Sequence, residues 1–422
     1  MYATIAHMGL EQTSSVRNGG DGEALIDTSA DARARHTALL GTPLLVVGVA
    51  LAAMNLRPAV TSMAAVLGEV RTDLGASALW ASLLTAVPTL CFGLAAVAAP
   101  AVGRRFGMAR AVGLALVVLT VGLLLRVLDG PWVVLGGTFV ATAGIAIGNV
   151  LIPVVVKESF PGKVGRVTGI YTAALAAGGG VAAAATPPLE QLVGGWRGAV
   201  AAWAVLSLAA LVLWGRAARH EPAGVTVADA PPARRNLMRS PLAWVVTGFF
   251  GLQALFAYVT MGWLAELFVS GGIARTEAGL MLAVINLIGI PISLILPPIV
   301  LSRRSQSGWI SGLASISLLG VFGLIVAPTA LPWAWTLLIG IGMGVFPLAL
   351  GVIALRTRTA ADTASLSAMA QGLGYLVASV GPFLFGVLHE ATGGWTVSLW
   401  LLVVVLVLEV ALGWVVGRPR HV

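Results

Sequence analysis

The sequence predicts an all-α membrane protein with twelve transmembrane helices. Of its 422 residues, 58% are hydrophobic and only 10% are charged, and the mean hydropathy is +0.95. This composition lies outside the range of soluble globular domains. Apolar runs of about 20 residues, the length that a helix needs to cross a bilayer, recur along the whole chain. The expected spans are 39–67, 78–101, 109–128, 132–156, 165–188, 196–215, 242–269, 277–301, 308–328, 331–355, 364–388 and 395–416.

The apolar runs predict helices and not the strands of a transmembrane barrel. A barrel strand alternates polar and apolar residues over about ten positions. The runs in this chain are longer and are apolar on every face. They therefore have the pattern of membrane-spanning helices.

A long polar break divides the spans into two sets of six. It contains Pro222, Pro231 and Pro232, which interrupt regular structure. Gly-Gly-Trp follows span 5 at 194–196 and span 11 at 393–395, and this correspondence indicates two six-helix repeats. The expected divisions are a disordered cytoplasmic tail (1–37), a first bundle (38–216), a cytoplasmic linker (217–241), a second bundle (242–417) and a cytoplasmic C-terminus (418–422).

The positions of the basic residues predict that both termini are cytoplasmic. Of the 25 Lys and Arg residues, Arg57 lies within span 1, and 20 lie on the side of the termini and the linker. The four on the opposite side are Arg71, Arg126, Arg197 and Arg275. Because positively charged loops stay in the cytoplasm, the expected location is the cytoplasmic (inner) membrane of a bacterium. This topology accounts for the net charge of +8, and no nucleic-acid partner is expected.

Arg57 is the strongest functional clue, since it is the one basic residue embedded in an expected span away from its ends. A guanidinium stays charged, so inside a membrane it must face a protein partner, a water-filled cavity or an anionic ligand. One hypothesis is direct contact with an anionic or polar substrate through parallel hydrogen bonds. The alternative is a structural role near the outer surface, either an ion pair, for example with Glu69 or Asp73, or a cap to backbone carbonyls. Pro58 removes a backbone donor and predicts a kink beside Arg57.

Other polar side chains within the spans are further candidates, because each costs free energy in hydrocarbon unless it is hydrogen bonded. They are either ligand contacts or interhelical hydrogen bonds, and Asn286 belongs to this group. Gln371 and Tyr375 are four residues apart and share one helix face. Trp263 is either a cavity wall or an anchor at the membrane interface. The expected substrate-binding residues are Arg57, Asn55, Asn149, Tyr171, Gln253, Tyr258, Trp263, Gln371 and Tyr375.

The sequence does not indicate an enzyme. It contains no His-Glu metal spacing, paired-cysteine motif, phosphate-binding glycine loop with lysine, or catalytic dyad. No metal or cofactor is expected, and the single Cys91 excludes an internal disulfide. Glu266 and Glu409 are the acidic residues within the expected spans. Any proton coupling is therefore expected to come from ionisation of the substrate or from Glu266.

Parallel six-helix repeats with a basic linker are typical of alternating-access transporters of the major facilitator type. Within that type, the segment 55–58 (Asn-Leu-Arg-Pro) with Thr61 and Ser62 resembles the first-helix signature of the cyanate and nitroimidazole transporter family. The likeness continues in Gln253, Tyr258 and Trp263 of span 7. Further matching segments are 148–153, 160–161, 168–172, 366–375, 381–382 and 388–390.

The resemblance implies a major facilitator fold with two pseudo-symmetric six-helix bundles. It also implies a secondary active transporter that moves a small polar or anionic solute, such as cyanate or a small organic anion. Its partners would then be that solute and the lipid bilayer, and a monomer is expected. Two alternatives stay open. One is an exporter of small neutral heteroaromatic compounds of the nitroimidazole kind, and the other is a membrane solute sensor that does not transport.

Overall fold

A computed structural model of the chain describes residues 42–160, 163–217 and 237–422. Within these ranges it contains twelve helical spans that are long and apolar enough to cross a membrane, and no β-strand. The expected class and number of spans are confirmed. The predicted tail (1–37) and most of the predicted linker (217–241) lie outside the described residues.

Among the described residues, nine spans are single helices and three are interrupted. The single helices are span 2 (Ala78–Phe106), span 3 (Met108–Leu125), span 4 (Pro131–Ser159), span 5 (Val164–Val193), span 6 (Trp196–Ala217), span 7 (Pro241–Ser270), span 8 (Arg275–Leu301), span 9 (Ser307–Val326) and span 12 (Thr396–Val416). The interrupted spans are span 1 (Pro43–Met54 and Pro58–Ala65), span 10 (Pro332–Gly342 and Val345–Leu355) and span 11 (Ala360–Ala378 and Val380–Thr392). A short helix, Leu67–Asp73, follows span 1, and a 3-10 turn, Leu237–Arg239, precedes span 7.

Local sequence signals explain where several helices begin and end. The Ser77 side chain accepts a hydrogen bond from the Trp80 N–H and caps span 2. Gly194 and Gly393 end spans 5 and 11 in the left-handed conformation, with φ of 76° and 66°. Glycine adopts this conformation without steric cost. The two equivalent Gly-Gly-Trp segments therefore end equivalent helices in the two repeats.

Span 5 is longer than expected, because the helix continues until Gly194 stops it. Its extension places Glu190 inside the span, where the side chain is buried. The expectation that Glu266 and Glu409 are the acidic residues within the spans is therefore wrong.

The two halves are packed together at the end of the bundle that carries the connection between spans 1 and 2, which we call the far end. A hydrophobic core formed mainly by spans 7–12 also includes Leu67 and Trp80 of the first half at this end. Arg275, the first residue of span 8, pairs with Glu69 and also with Glu190, whose Oε1 lies 3.3 Å from Nη1. Ion pairs and apolar contacts between the halves thus close the far end. We call the opposite end, where span 6 ends and span 7 begins, the linker end.

Candidate functional site

Span 1 is broken at Asn55, Leu56 and Arg57, immediately before Pro58. Proline lacks an N–H and disfavours helical geometry in the residue before it. The first helix therefore ends at Met54, and the second begins at Pro58 with Arg57 at its N-cap position. The predicted kink is a complete break, and it carries Arg57 away from the regular helix surface.

Arg57 reaches from the first half of the molecule to the second. Its Nη1 donates a hydrogen bond of 2.8 Å to Oδ1 of Asn286 in span 8. Asn286 is buried, and its Nδ2 donates to the Leu282 carbonyl at 2.9 Å. Among the described residues, this is the one hydrogen bond that the Arg57 side chain makes, and no carboxylate pairs with it. No carboxylate of the described residues therefore compensates the guanidinium charge.

The alternative of a structural ion pair for Arg57 is wrong, because both proposed acids have other partners. Glu69 pairs with Arg275. Asp73 accepts a hydrogen bond of 3.0 Å from the Trp196 indole and pairs with Arg197. These two contacts, first the Trp196 hydrogen bond and then that of Arg197, hold the pKa of Asp73 below its ordinary value.

Glycines in span 5 allow the break in span 1 to approach closely. A Cβ atom on Gly179 would lie 3.0 Å from Oδ1 of Asn286 and 3.1 Å from Cβ of Arg57. The Thr61 hydroxyl donates to the Gly179 carbonyl at 2.9 Å. Spans 1, 5 and 8 therefore converge at Arg57, and a Cβ at position 179 would require these neighbours to move by a few tenths of an ångström.

Three tyrosines from three other places in the chain lie in the neighbourhood of Arg57. Tyr171 of span 5, Tyr258 of span 7 and Tyr375 of span 11 lie close enough to Arg57 to interact with it electrostatically. Each of the three side chains is half-buried. The Tyr171 hydroxyl donates to Oδ1 of Asn149 at 3.2 Å. The structure thus brings five of the expected binding residues into one region between the halves.

Aromatic rings form a wall on one side of this region. The ring centroids of Tyr258 and Tyr375 are 6.2 Å apart, and that of Phe92 is 5.5 Å from each of them. Phe250 lies edge-on to Tyr375 at 5.2 Å. Phe92 belongs to the first half and the other three rings to the second. The wall is therefore shared by both halves, and the sequence analysis had not included either phenylalanine in the site.

The two expected glutamines lie in span 11 and span 7. Gln371 lies one helical turn from Tyr375 and is half-buried. Its Nε2 donates to the Ser367 hydroxyl at 2.7 Å. Gln253 is buried, and its Oε1 has no hydrogen-bond partner. An unsatisfied buried acceptor is uncommon, so Gln253 has the capacity to accept a hydrogen bond from a ligand.

Two expected residues have other partners. The Asn55 Nδ2 donates to the carbonyls of Leu51 at 2.8 Å and Leu206 at 3.3 Å, so its side chain joins span 1 to span 6. The Trp263 indole donates to the Pro382 carbonyl at 2.9 Å and is only 1% exposed. This burial is incompatible with the alternative of an interface anchor. Within the described part of the chain, neither side chain has a hydrogen bond or ring contact with the group around Arg57.

Sequence reasoning missed the burial of Arg126. This residue directly follows span 3 and was expected on the far side of the membrane. Its guanidinium is instead fully buried, with Nη1 donating to the Ala59 carbonyl and Nη2 to the Ser62 hydroxyl at 3.2 Å. A position at a helix end gives no sign that a long side chain folds back towards span 1.

The chemistry of the site is that of polar recognition. It offers a charged guanidinium, three phenols, amides and aromatic faces in a partly desolvated space. Charge-assisted hydrogen bonds are strong in such surroundings. Within the described ranges, no group of three or more His, Cys, Asp or Glu side chains could hold a metal ion.

Twelve spans in two halves that meet at a polar centre define a multi-pass membrane transporter. A family model described as the Major Facilitator Superfamily matches residues 44–379. The chain therefore belongs to the major facilitator superfamily.

Relatives of established name agree with this assignment. The chain is 35% identical over 379 residues to the 2-nitroimidazole transporter of Escherichia coli (strain K12), covering 90% of this chain and 96% of that protein. It is 30% identical over 347 residues to the cyanate transport protein CynX of the same organism, covering 82% and 90%. The predicted resemblance to cyanate and nitroimidazole transporters is confirmed. The chain is a transporter and not an enzyme, and its bacterial relatives indicate the inner membrane.

A solved structure supports the fold. A bacterial homologue of the human lysosomal transporter Spinster, in an inward-facing and occupied conformation, superposes with a TM-score of 0.74. The match covers 90% of this chain and 98% of that chain at 14% identity. At this identity the similarity establishes the major facilitator fold alone.

Proposed function

We propose that this transporter moves a small anionic or polar solute across the inner membrane by alternating access, with Arg57 as its principal ligand contact. The observation that carries the proposal is the half-buried guanidinium between the halves, which has no carboxylate partner among the described residues. An uncompensated charge in a desolvated site is costly. A ligand carboxylate or similar anion would compensate it through parallel hydrogen bonds.

Contacts from both halves support the alternating-access mechanism. A ligand stabilises an occluded state only if it interacts with both halves when they close around it. Arg57, Asn149 and Tyr171 represent the first bundle (38–216), and Tyr258 and Tyr375 the second (242–417). Gln253 and Gln371 add amide groups from the second bundle. Asn55 and Trp263, which have other partners, would support this site from outside.

The names of the two relatives correspond to the two open ligand classes. Cyanate is a small anion, and Arg57, which has no carboxylate partner among the described residues, favours an anionic ligand. Nitroimidazole is a small neutral heteroaromatic compound, and the half-buried rings of Tyr258 and Tyr375 favour this second candidate, since planar rings stack on aromatic side chains. Export of such compounds is therefore the alternative function. A membrane sensor would bind the same ligands without moving them.

We also propose an orientation in the membrane and a source of any proton coupling. We place the linker end and both termini in the cytoplasm, because basic residues concentrate there. No acidic side chain is found in contact with Arg57 among the described residues. Glu266 lies at the far end, where its Oε2 would be 2.6 Å from a Cβ on Gly68. Proton dependence would then arise from ionisation of the substrate or from Glu266. The functional unit would be a monomer.

The proposal is tested by uptake into proteoliposomes and by binding to purified Arg57→Ala and Arg57→Lys proteins. Loss of a charge-assisted hydrogen bond costs about 1.5–3 kcal/mol, so the alanine variant should bind cyanate or a small carboxylate roughly 10- to 100-fold more weakly. Lysine should restore little, because a point charge does not replace the planar guanidinium.

The matched control is Arg304→Ala, which removes an exposed arginine at the linker end. It should fold, bind and transport as the parent does. Near-normal anion uptake by Arg57→Ala would contradict the proposal. Binding of 2-nitroimidazole with no anion binding in the parent would favour the alternative function, and binding without uptake would favour a sensor.

A further inference from the structure

We infer that Asn286 is a specificity-determining residue. Its neutral amide oxygen accepts a hydrogen bond from Arg57, orients the guanidinium and thereby keeps the site selective for anions. This inference rests on the proposed function. It concerns a residue of the second half that is 229 positions away from Arg57 in the chain. It specifies why an amide, and not a carboxylate, accepts the arginine hydrogen bond.

The orientation of the Asn286 amide is fixed by its two hydrogen bonds. Oδ1 accepts from Nη1 of Arg57 at 2.8 Å, and Nδ2 donates to the Leu282 carbonyl at 2.9 Å. A flipped amide would place two N–H donors against each other and two oxygens against each other. The neutral oxygen must therefore face the guanidinium, and the bond to span 8 holds Arg57 in one orientation.

The remaining donors of Arg57 are then available to a ligand. A guanidinium has five N–H donors, and Asn286 accepts from one of them. Among the described residues, no hydrogen bond is found from Nε or Nη2 of Arg57. These two atoms form one edge of the planar group, which matches the two oxygens of a carboxylate. Asn286 thus fixes the plane in which an anion binds.

The neutrality of Asn286 determines the sign of the ligand charge. An aspartate at this position would accept the same hydrogen bond but would add a negative charge beside the guanidinium. The pair would then be neutral overall, and the anionic ligand would meet a like charge. Removing the amide altogether would leave Arg57 charged but not oriented. Two substitutions at position 286 therefore test two properties separately: aspartate changes the charge of the site, and removal of the amide changes the orientation of Arg57.

The decisive variant is Asn286→Asp, measured with cyanate or formate as anionic probes and 2-nitroimidazole as a neutral probe. We expect anion affinity to fall by roughly 10- to 100-fold, as for the loss of a charge-assisted contact, while affinity for the neutral probe changes far less. Asn286→Ala should weaken anion binding by a smaller factor, about 5- to 10-fold, because the charge of Arg57 stays.

Gln306→Glu is the matched control, since Gln306 is also a buried amide whose oxygen accepts a hydrogen bond from an arginine, Arg356, and whose Nε2 donates to a backbone carbonyl. It adds the same charge at the linker end, away from Arg57, and should reduce anion affinity far less than Asn286→Asp. Thermal unfolding of each variant separates misfolding from altered recognition. The ratio of anionic to neutral binding is a readout that a merely structural role would not change.

The outcomes distinguish the inference from the proposed function. If the parent binds an anion, Arg57→Ala does not, and Asn286→Asp binds it normally, the inference is wrong and the proposed function stands. A folded Asn286→Asp protein that loses both probes equally would also overturn the inference, because Asn286 would then be a structural tie. If the parent binds no anion, or Arg57→Ala binds it normally, both are overturned.

Discussion

The contact between Gly178 and the end of the first helix gives a sharp test of how the site is built. A Cβ on Gly178 would lie 2.0 Å from the Met54 carbonyl oxygen, 2.8 Å from its carbonyl carbon and 3.1 Å from its Cα. All three are backbone atoms of the last residue before the break in span 1. No side-chain rotation can relieve this clash, so Gly178→Ala must push spans 1 and 5 apart.

The expected cost follows from the displacement. An ordinary contact begins at 3.4 Å, so the 2.0 Å separation requires the backbone to move by more than a bond-angle adjustment can absorb. Overpacking of this kind costs typically about 1–3 kcal/mol. The better helix propensity of alanine offsets about 1 kcal/mol. We expect a net loss of up to about 2 kcal/mol in stability, together with weaker anion binding because Arg57 follows Met54 by three residues.

The measurement is thermal unfolding of the purified protein together with anion binding. The matched control is Gly312→Ala in span 9, where the glycine is exposed and no atom lies within 4 Å of the added Cβ. This control should be as stable as the parent or more stable by up to about 1 kcal/mol. If Gly178→Ala unfolds and binds like Gly312→Ala, the close approach of spans 1 and 5 is not as described.

Two further predictions concern the contacts between and within the halves. Arg275→Glu places a negative charge opposite Glu69 and should favour opening of the far end by about 1 kcal/mol, roughly five-fold in population. The opening is measured as faster labelling of a Leu67→Cys variant by an impermeant maleimide. Unchanged labelling would show that the ion pairs do not close this end. Trp263→Phe keeps an aromatic ring but leaves the buried Pro382 carbonyl without its hydrogen-bond donor. Stability to thermal unfolding should therefore fall by about 1–2 kcal/mol, with anion affinity unchanged. Weaker anion binding at unchanged stability would instead make Trp263 a ligand contact.

The architecture of this protein could be predicted because it depends on hydrophobic length. A helix that crosses a bilayer needs about 20 apolar residues whatever its neighbours are, so twelve runs predict twelve spans. Helix ends are less certain, because they depend on local geometry. Span 5 continued to Val193 and carried Glu190 into the span, since only the left-handed Gly194 ends it.

Part of the candidate site could also be predicted, because polar groups in hydrocarbon are costly in any arrangement. This argument identified Arg57, Tyr171, Tyr258 and Tyr375, and the structure brings them together. The Pro58 ring alone predicted the distortion beside Arg57.

Only the tertiary structure decided which polar side chains meet. The spacing of residues along a helix fixes which of them share a face, but not which other helix that face contacts. By sequence, Asn286 is one polar residue among several, but the packing of span 8 places its Oδ1 2.8 Å from Nη1 of Arg57. Asn55 instead forms a hydrogen bond with span 6, and Trp263 forms one with span 11. Arg126 lies at a helix end by sequence and is buried against Ser62 in the fold. The crossing and rotation of the helices, set by packing over hundreds of residues, determine these contacts.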